Sequence, residues 1–254
     1  MIAQSFVLLA AGRGSRLTQL TNNTHKSLLP IAGKPVLQYI LDQLVILKKH
    51  DVVVVTGYRS DDINSFLKAN YGNAIRTVFN KFYNSDINIL SVDLGVDSLL
   101  SPEAGYMIIE TDIILEPAGW QCLLRPRQSA VSEWTTIGNY NANLTGGALR
   151  TDETGRVKDI VYAPKYDKQF DGWKKLLGTL YVGLNEVNLY NEFRKKAIQR
   201  SIEQYYLIPW IENINKLPCY ELDLSGYYAA SFNEIKAYRK TDKEYRKADK
   251  RKEE

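Results

Sequence analysis

This chain of 254 residues holds only two cysteines and two histidines. Cys122 and Cys219 stand far apart, with no C-x-x-C pair and no histidine cluster near them, which argues against zinc and leaves two buried thiols as the expectation. Long apolar runs are also missing. No stretch approaches the ~18 apolar residues of a membrane span. The N-terminus shows neither the basic start nor the small-residue cleavage site of a signal peptide, so the cytoplasm is the expected location and no membrane partner is expected. There is no internal repeat, low-complexity segment or Pro/Gly-rich linker to divide the chain.

What the chain does have is 44% apolar content and enough length for one large α/β domain. The expectation is a single domain over residues 1–239 and a charged tail, 240–254, reading KTDKEYRKADKRKEE. That tail carries much of the net charge of +4, but it mixes both signs and reads as a solvated helix end or frayed terminus. Seventeen tyrosines do not cluster with Lys and Arg as they do on single-strand platforms, so no nucleic-acid partner is expected. Oligomeric state is left open.

Residues 8–37, LLAAGRGSRLTQLTNNTHKSLLPIAGKPVL, are the most informative. Phe6 to Ala11 is a short apolar run of the kind that forms a buried parallel strand. At its end Gly12 and Gly14 lack the Cβ atoms that would hold a ligand away, and Arg13 and Arg16 set guanidinium forks beside the backbone N–H donors. Lys26 adds a pointlike cation. The dinucleotide fingerprint G-x-G-x-x-G fails because Leu17 stands at its last position, and the P-loop fails because Gly33-Lys34 is followed by Pro35.

Beyond this segment, strand and helix patterns alternate. Val36 to Lys48 has helical spacing, Asp51 to Gly57 and Ile75 to Asn80 read as strands, and Ile63 to Asn70 reads as the helix between them. Tyr106 to Glu110 is the next central strand. From Thr135 the strands shorten (Thr135 to Tyr140, Gly147 to Thr151, Val157 to Ala163), which implies antiparallel pairing, and Gly178 to Leu184 returns to the main sheet. A helix over Val187 to Ser201 and a late strand at 218–224 complete the pattern. The fold class is α/β: a Rossmann-like, mixed but mainly parallel sheet flanked by helices, with a small antiparallel β extension.

The glycine loop and the residues after it, as far as Pro35, resemble the signature G-x-G-x-R-L, spacer, P-K-x-L-L-P-I-x-G-K-P of the sugar-phosphate nucleotidylyltransferases. Gly12, Gly14, Arg16, Leu17, Lys26, Leu28 to Pro30 and Gly33 to Pro35 match, and His25 stands where that family usually has proline. The resemblance implies the nucleotide-diphospho-sugar-transferase fold, a nucleoside triphosphate and a small phosphorylated molecule as partners, and Mg²⁺ as cofactor. It makes Arg16, Lys26 and Asp112 the catalytic residues, with Asp112, after the fourth central strand, as metal ligand. Leu9, Ala10, Ala11, Gly12, Arg13, Gly14, Ser15 and Asn88 become the nucleotide-binding set. Many members carry a second acidic ligand late in the chain; here Ser231 stands at that position, with Asp223 and Glu234 as neighbours that could compensate.

A second stretch narrows the resemblance. Asn80, Tyr83, Asn88 and Ser91 match N-x-x-Y-x-x-x-N-N-x-x-S-L of bacterial choline-phosphate cytidylyltransferases, enzymes of cell-surface polymer pathways. That implies CMP transfer from CTP to a small phospho-alcohol such as phosphocholine, with release of pyrophosphate. Glu133 and Trp134 are similar to a Glu-Trp pair of the same enzymes, and Trp is the best ring for a quaternary ammonium. Tyr181, or the cluster Tyr205, Tyr206 and Trp210, is a further candidate for the acceptor site, while Leu207 falls where an acid is expected. Two alternatives stay open: a hexose-1-phosphate nucleotidylyltransferase, and a nucleotide-binding regulatory protein without turnover.

Overall fold

The computed structural model describes residues 4–47, 50–126 and 130–253. Strand β1, Gln4–Ala10, buries Phe6 to Ala10 because helices cover both faces of the sheet. One helical turn, α1, Thr18–Thr21, and a small hairpin of β2, Pro30–Ile31, and β3, Lys34–Pro35, lead into α2, Val36–Val45. Val36, Leu37, Ile40, Leu41 and Leu44 recur at helical spacing and are buried. The helix stops at Val45, and Lys48, its expected end, lies outside the described residues. Next come β4, His50–Thr56, α3, Ser60–Tyr71, β5, Arg76–Phe79, α4, Ile89–Asp97, and β6, Tyr106–Glu110. β4 and β6 flank β1 in parallel and β5 pairs with β4, giving the order β5-β4-β1-β6. The chain steps outward from β1 first one way and then the other, and the crevice at the carboxyl ends of β1 and β6 is where such a sheet takes its ligand.

Beyond the crevice lie β7, Ile113–Leu115, α5, Pro117–Leu123, β8, Ser132–Asn139, β9, Gly146–Thr151, β10, Val157–Ala163, and β11, Lys174–Val182. β11 returns antiparallel beside β6 and carries β8 and β9 on its other edge. β9 and β10 form the small antiparallel extension. The chain continues through α6, Val187–Arg200, α7, Ile208–Asn213, β12, Cys219–Asp223, β13, Ala229–Ser231, and α8, Ile235–Glu253. β12 runs parallel to β8, and β13 pairs antiparallel with β7. The architecture is the mixed sheet that the pattern implies, parallel at its centre and flanked by helices.

The sheet separates two cores. Leu37, Leu41, Ile63 and Tyr245 pack on one face, and Val92, Tyr190, Tyr206 and Trp210 on the other. The expected boundary between Arg239 and Lys240 falls inside α8. Thr241 and Tyr245 of the supposed tail are buried, and Asp242 accepts the Ala32 N–H at 2.8 Å. Tyr238, Thr241 and Tyr245 make a narrow helical stripe that the surrounding charges mask in the sequence. Among the described residues no helix is long and apolar enough to cross a membrane.

Candidate active site

The segment from Ala11 to Leu17 forms one end of a cleft of about 360 Å³. Tyr58 N–H donates to the Ala11 carbonyl at 2.9 Å and Leu17 N–H to the Gly14 carbonyl at 2.8 Å, which pins the loop at both ends. Gly14 has φ 65°, and a Cβ there would stand 3.1 Å from the Lys26 stem, so a side chain would both strain the loop and crowd the lysine. Leu9, Ala11, Gly12, Gly14, Ser15 and Arg16 line the cleft. Two expected members do not. The side chain of Ala10 enters the opposite core, as alternation along β1 requires. Arg13 lies with its guanidinium 5.5 Å over the Tyr58 ring, so Arg16 is the loop arginine that faces the cleft.

Lys26 and Asp112 meet across the cleft. Lys26 Nζ donates to Asp112 Oδ2 at 3.0 Å, while Asp112 Oδ1 is buried without a hydrogen-bond partner. An orphaned buried carboxylate oxygen carries a free-energy cost that a cation would remove, so the donor set fits a hard divalent ion. The two acids considered as compensation for Ser231 are elsewhere. Asp223 stands 3.8 Å from Lys174, and Glu234 is exposed; neither lines the cleft, whereas Ser231 and Asn233 do. Glu110 does line it, on the same strand end as Asp112. Burial, and then the neighbouring Asp112, push the Glu110 carboxyl above the usual carboxylate range, and the Tyr206 hydroxyl is hydrogen-bonded to it.

The far end is aromatic. Trp134 is fully buried, stacked on Tyr206 with centroids 5.7 Å apart and edge-on to Trp210 at 6.2 Å. Tyr162 and Tyr205 stack at 3.8 Å, are only half-buried and line the cleft. Glu133 and Tyr181 stand opposite each other in the β8–β11 ladder, and neither lines the cleft. Glu133 accepts from Arg125 at 2.8 Å. The reason is the strand period of two: Glu133 and Trp134 are consecutive on β8 and must face opposite ways.

Lys175 was not among the expected residues. It is 7% exposed on β11, lines the cleft, and donates to the carbonyls of Leu176 at 2.7 Å and Gly147 at 3.3 Å. Burial pushes its ammonium down to about 8, against the opposing pull of Glu110 and Asp112. In the sequence it is one of two adjacent lysines, and only the sheet register sends this one inward.

The Asn80 to Ser91 stretch is both scaffold and wall, since Tyr83, Asp86, Ile87, Asn88 and Ser91 line the cleft. Asp86 accepts from Asn80 Nδ2 at 2.8 Å, from the Ser91 hydroxyl at 2.6 Å and from the N–H groups of Leu90 and Ser91. It thereby holds the start of α4. Asn88 lines the cleft, and its Oδ1 accepts the Tyr206 N–H at 2.8 Å, which leaves its amide N–H groups to face a ligand.

This geometry agrees with an independent comparison: residues 5–171 match the family model described as Nucleotidyl transferase. The chain belongs to that family. A choline-phosphate cytidylyltransferase of Streptococcus pneumoniae is 24% identical over 245 residues, covering 93% of this chain and 96% of that protein. A solved structure of the CTP:phosphocholine cytidylyltransferase from that organism superposes with a TM-score of 0.80 at 23% identity, over 95% of this chain and 99% of its own. A CMP-5'-(3-aminopropyl)phosphonate synthase of Streptomyces rubellomurinus is 30% identical over 167 residues, which are 65% of this chain but 26% of that longer protein. A UTP--glucose-1-phosphate uridylyltransferase of Haloferax volcanii is 46% identical over 57 residues, 22% of this chain and 24% of that protein. Members of this family use a nucleoside triphosphate and a phosphorylated substrate.

Proposed function

We propose that this protein transfers CMP from CTP to a small phosphorylated amino alcohol, with phosphocholine as the reference acceptor. The observation that carries the acceptor class is the wall of Trp134, Tyr162, Tyr205 and Tyr206 beside the Glu110 carboxylate. Aromatic faces suit an ammonium head group, and a cation bound there would favour the ionised form of Glu110. Lys175 then takes the acceptor's phosphate, since its buried ammonium forms no ion pair with a described carboxylate. An oxygen of that phosphate attacks the α-phosphorus in line; the new P–O bond forms as the bond to the bridging oxygen breaks, and pyrophosphate leaves with the electron pair. Arg16 and the Gly12 to Ser15 amides hold the leaving phosphates, Lys26 neutralises charge at the α-phosphate, and the strand end at Leu9 to Ala11, with Asn88, faces the base. Asp112, through Oδ1, would hold Mg²⁺, which when bound neutralises charge on the reacting phosphates.

A pyrophosphate-release screen of four nucleoside triphosphates against phosphocholine, phosphoethanolamine, aminoethylphosphonate and glucose-1-phosphate tests this reading. CTP with an amino-alcohol phosphate is the expected best pair. The short stretch shared with a glucose-1-phosphate uridylyltransferase favours a second reading, hexose-1-phosphate transfer. UTP or dTTP with glucose-1-phosphate as best pair would establish that one instead. Triphosphate binding without any turnover would make the chain a nucleotide-binding regulator.

A further inference from the structure

His25 is fully buried between the two halves of the phosphate end. Its Nδ1 accepts the Ser27 N–H at 3.1 Å, capping the turn Lys26–Leu28. The ring proton therefore belongs on Nε2, which lies 3.1 Å from the Gly12 carbonyl and donates to it. Ser27 is held in turn: Thr111 gives its hydroxyl proton to the Leu9 carbonyl at 2.8 Å, so the Ser27 hydroxyl donates to Thr111 at 2.6 Å. Around the ring stand Lys26 and Arg59, which disfavour a second proton, Asp62, which favours one, and the Tyr58 ring with its centroid 6.5 Å away. The imidazole is thus a two-ended strut from the glycine loop to the turn that carries Lys26. The proline that commonly stands at this position has no side-chain donor for Gly12.

We propose that His25 is a positioning residue for the triphosphate, setting the spacing between the Gly12 to Arg16 donors and the Lys26 ammonium. The inference rests on the reading that this loop holds the leaving pyrophosphate. Two variants separate the strut's ends, because an Asn side chain can replace Nδ1 as the acceptor for Ser27, and a Gln side chain can place a donor near the position of Nε2. Inorganic pyrophosphate with Mg²⁺ is the calorimetric probe, with thermal melts and both substrate KM values alongside. His25→Asn is expected to weaken pyrophosphate binding and raise the CTP KM about tenfold, equivalent to ~1.4 kcal/mol, with the acceptor KM within about twofold. His25→Gln should stay within about threefold for pyrophosphate. The wild-type affinity, relative to His25→Gln, should also change as pH drops toward 4, because of these two side chains only the imidazole can take a proton. Wild-type-like pyrophosphate affinity in His25→Asn overturns the inference, as does a flat pH ratio or a loss of all affinities in proportion to melting temperature. If the wild-type protein itself binds no pyrophosphate, the reading of the loop falls and this inference with it.

Discussion

At the proposed phosphate end, Gly12, Arg16, His25 and Lys26 come from one stretch of chain between β1 and α2; at the proposed acceptor end, Trp134, Tyr162, Lys175 and Tyr206 come from β8, β10, β11 and the loop before α7. The first end is set by residue spacing along a loop, so its parts can be recognised as a motif. The second is set by sheet register, in which Lys175 stands opposite Ala148 and Trp134 opposite Leu180. A one-residue slip there would turn each side chain to the other face. The two ends also differ in what an altered residue damages, because the aromatic wall is part of a core and the glycine loop is exposed.

The largest expected effect comes from that difference. Trp134→Ala removes a ring packed against Tyr206 and Trp210 and should lower unfolding free energy by ~3–5 kcal/mol in urea titrations. A loss under ~1 kcal/mol would make Trp134 a ligand-facing side chain rather than the back of the wall. Asp112→Asn sharpens the other end. Turnover should fall by about a hundredfold to a thousandfold with little change in stability, and near-normal Mg²⁺-dependent turnover would refute the assignment of Asp112 as metal ligand.

Acid should act through His25. Its pKa is lowered from 6.5 to about 4 by burial and by Lys26, so the unfolded chain takes up a proton in that window that the native ring refuses. The stability contributed by neutral His25 is present above pH 6.5 and is lost as pH falls to about 4, by up to ~3 kcal/mol. His25→Gln should lack this component in denaturation curves taken from pH 7 to pH 4. The smallest effect is expected for Glu133→Gln: with Glu133 turned away from the cleft toward Arg125, the acceptor KM should stay within about twofold. A larger rise would show that Glu133 reaches the acceptor after all.

Much of the fold was legible in the residues. The apolar runs of β1, β4 and β6 and the spacing in α2 and α6 state their own periods, and their ends fall within a few positions of expectation. Other elements were not. β7 and β13 are three residues each, too short to carry a pattern, and α8 hides its stripe under charge. α4 reads in the sequence as a motif rather than a helix because Asn80 and Ser91 report on the Asp86 cap that starts it. Of the residues that line the cleft, Gly12, Arg16, Lys26 and Asp112 were recognisable from spacing and resemblance. Glu133 was misplaced although the signal was present, since neighbours on a strand cannot share a face. Lys175 had no local signal, and nothing near Tyr206 foretells its contact with Glu110.

The claim that one cleft joins two separately built ends is tested most directly by paired calorimetric titrations of CTP and phosphocholine into Arg16→Ala and Lys175→Met. Arg16→Ala should weaken CTP binding about tenfold and leave phosphocholine nearly unchanged, and Lys175→Met should do the reverse. Equal loss of both ligands in both variants would contradict the account.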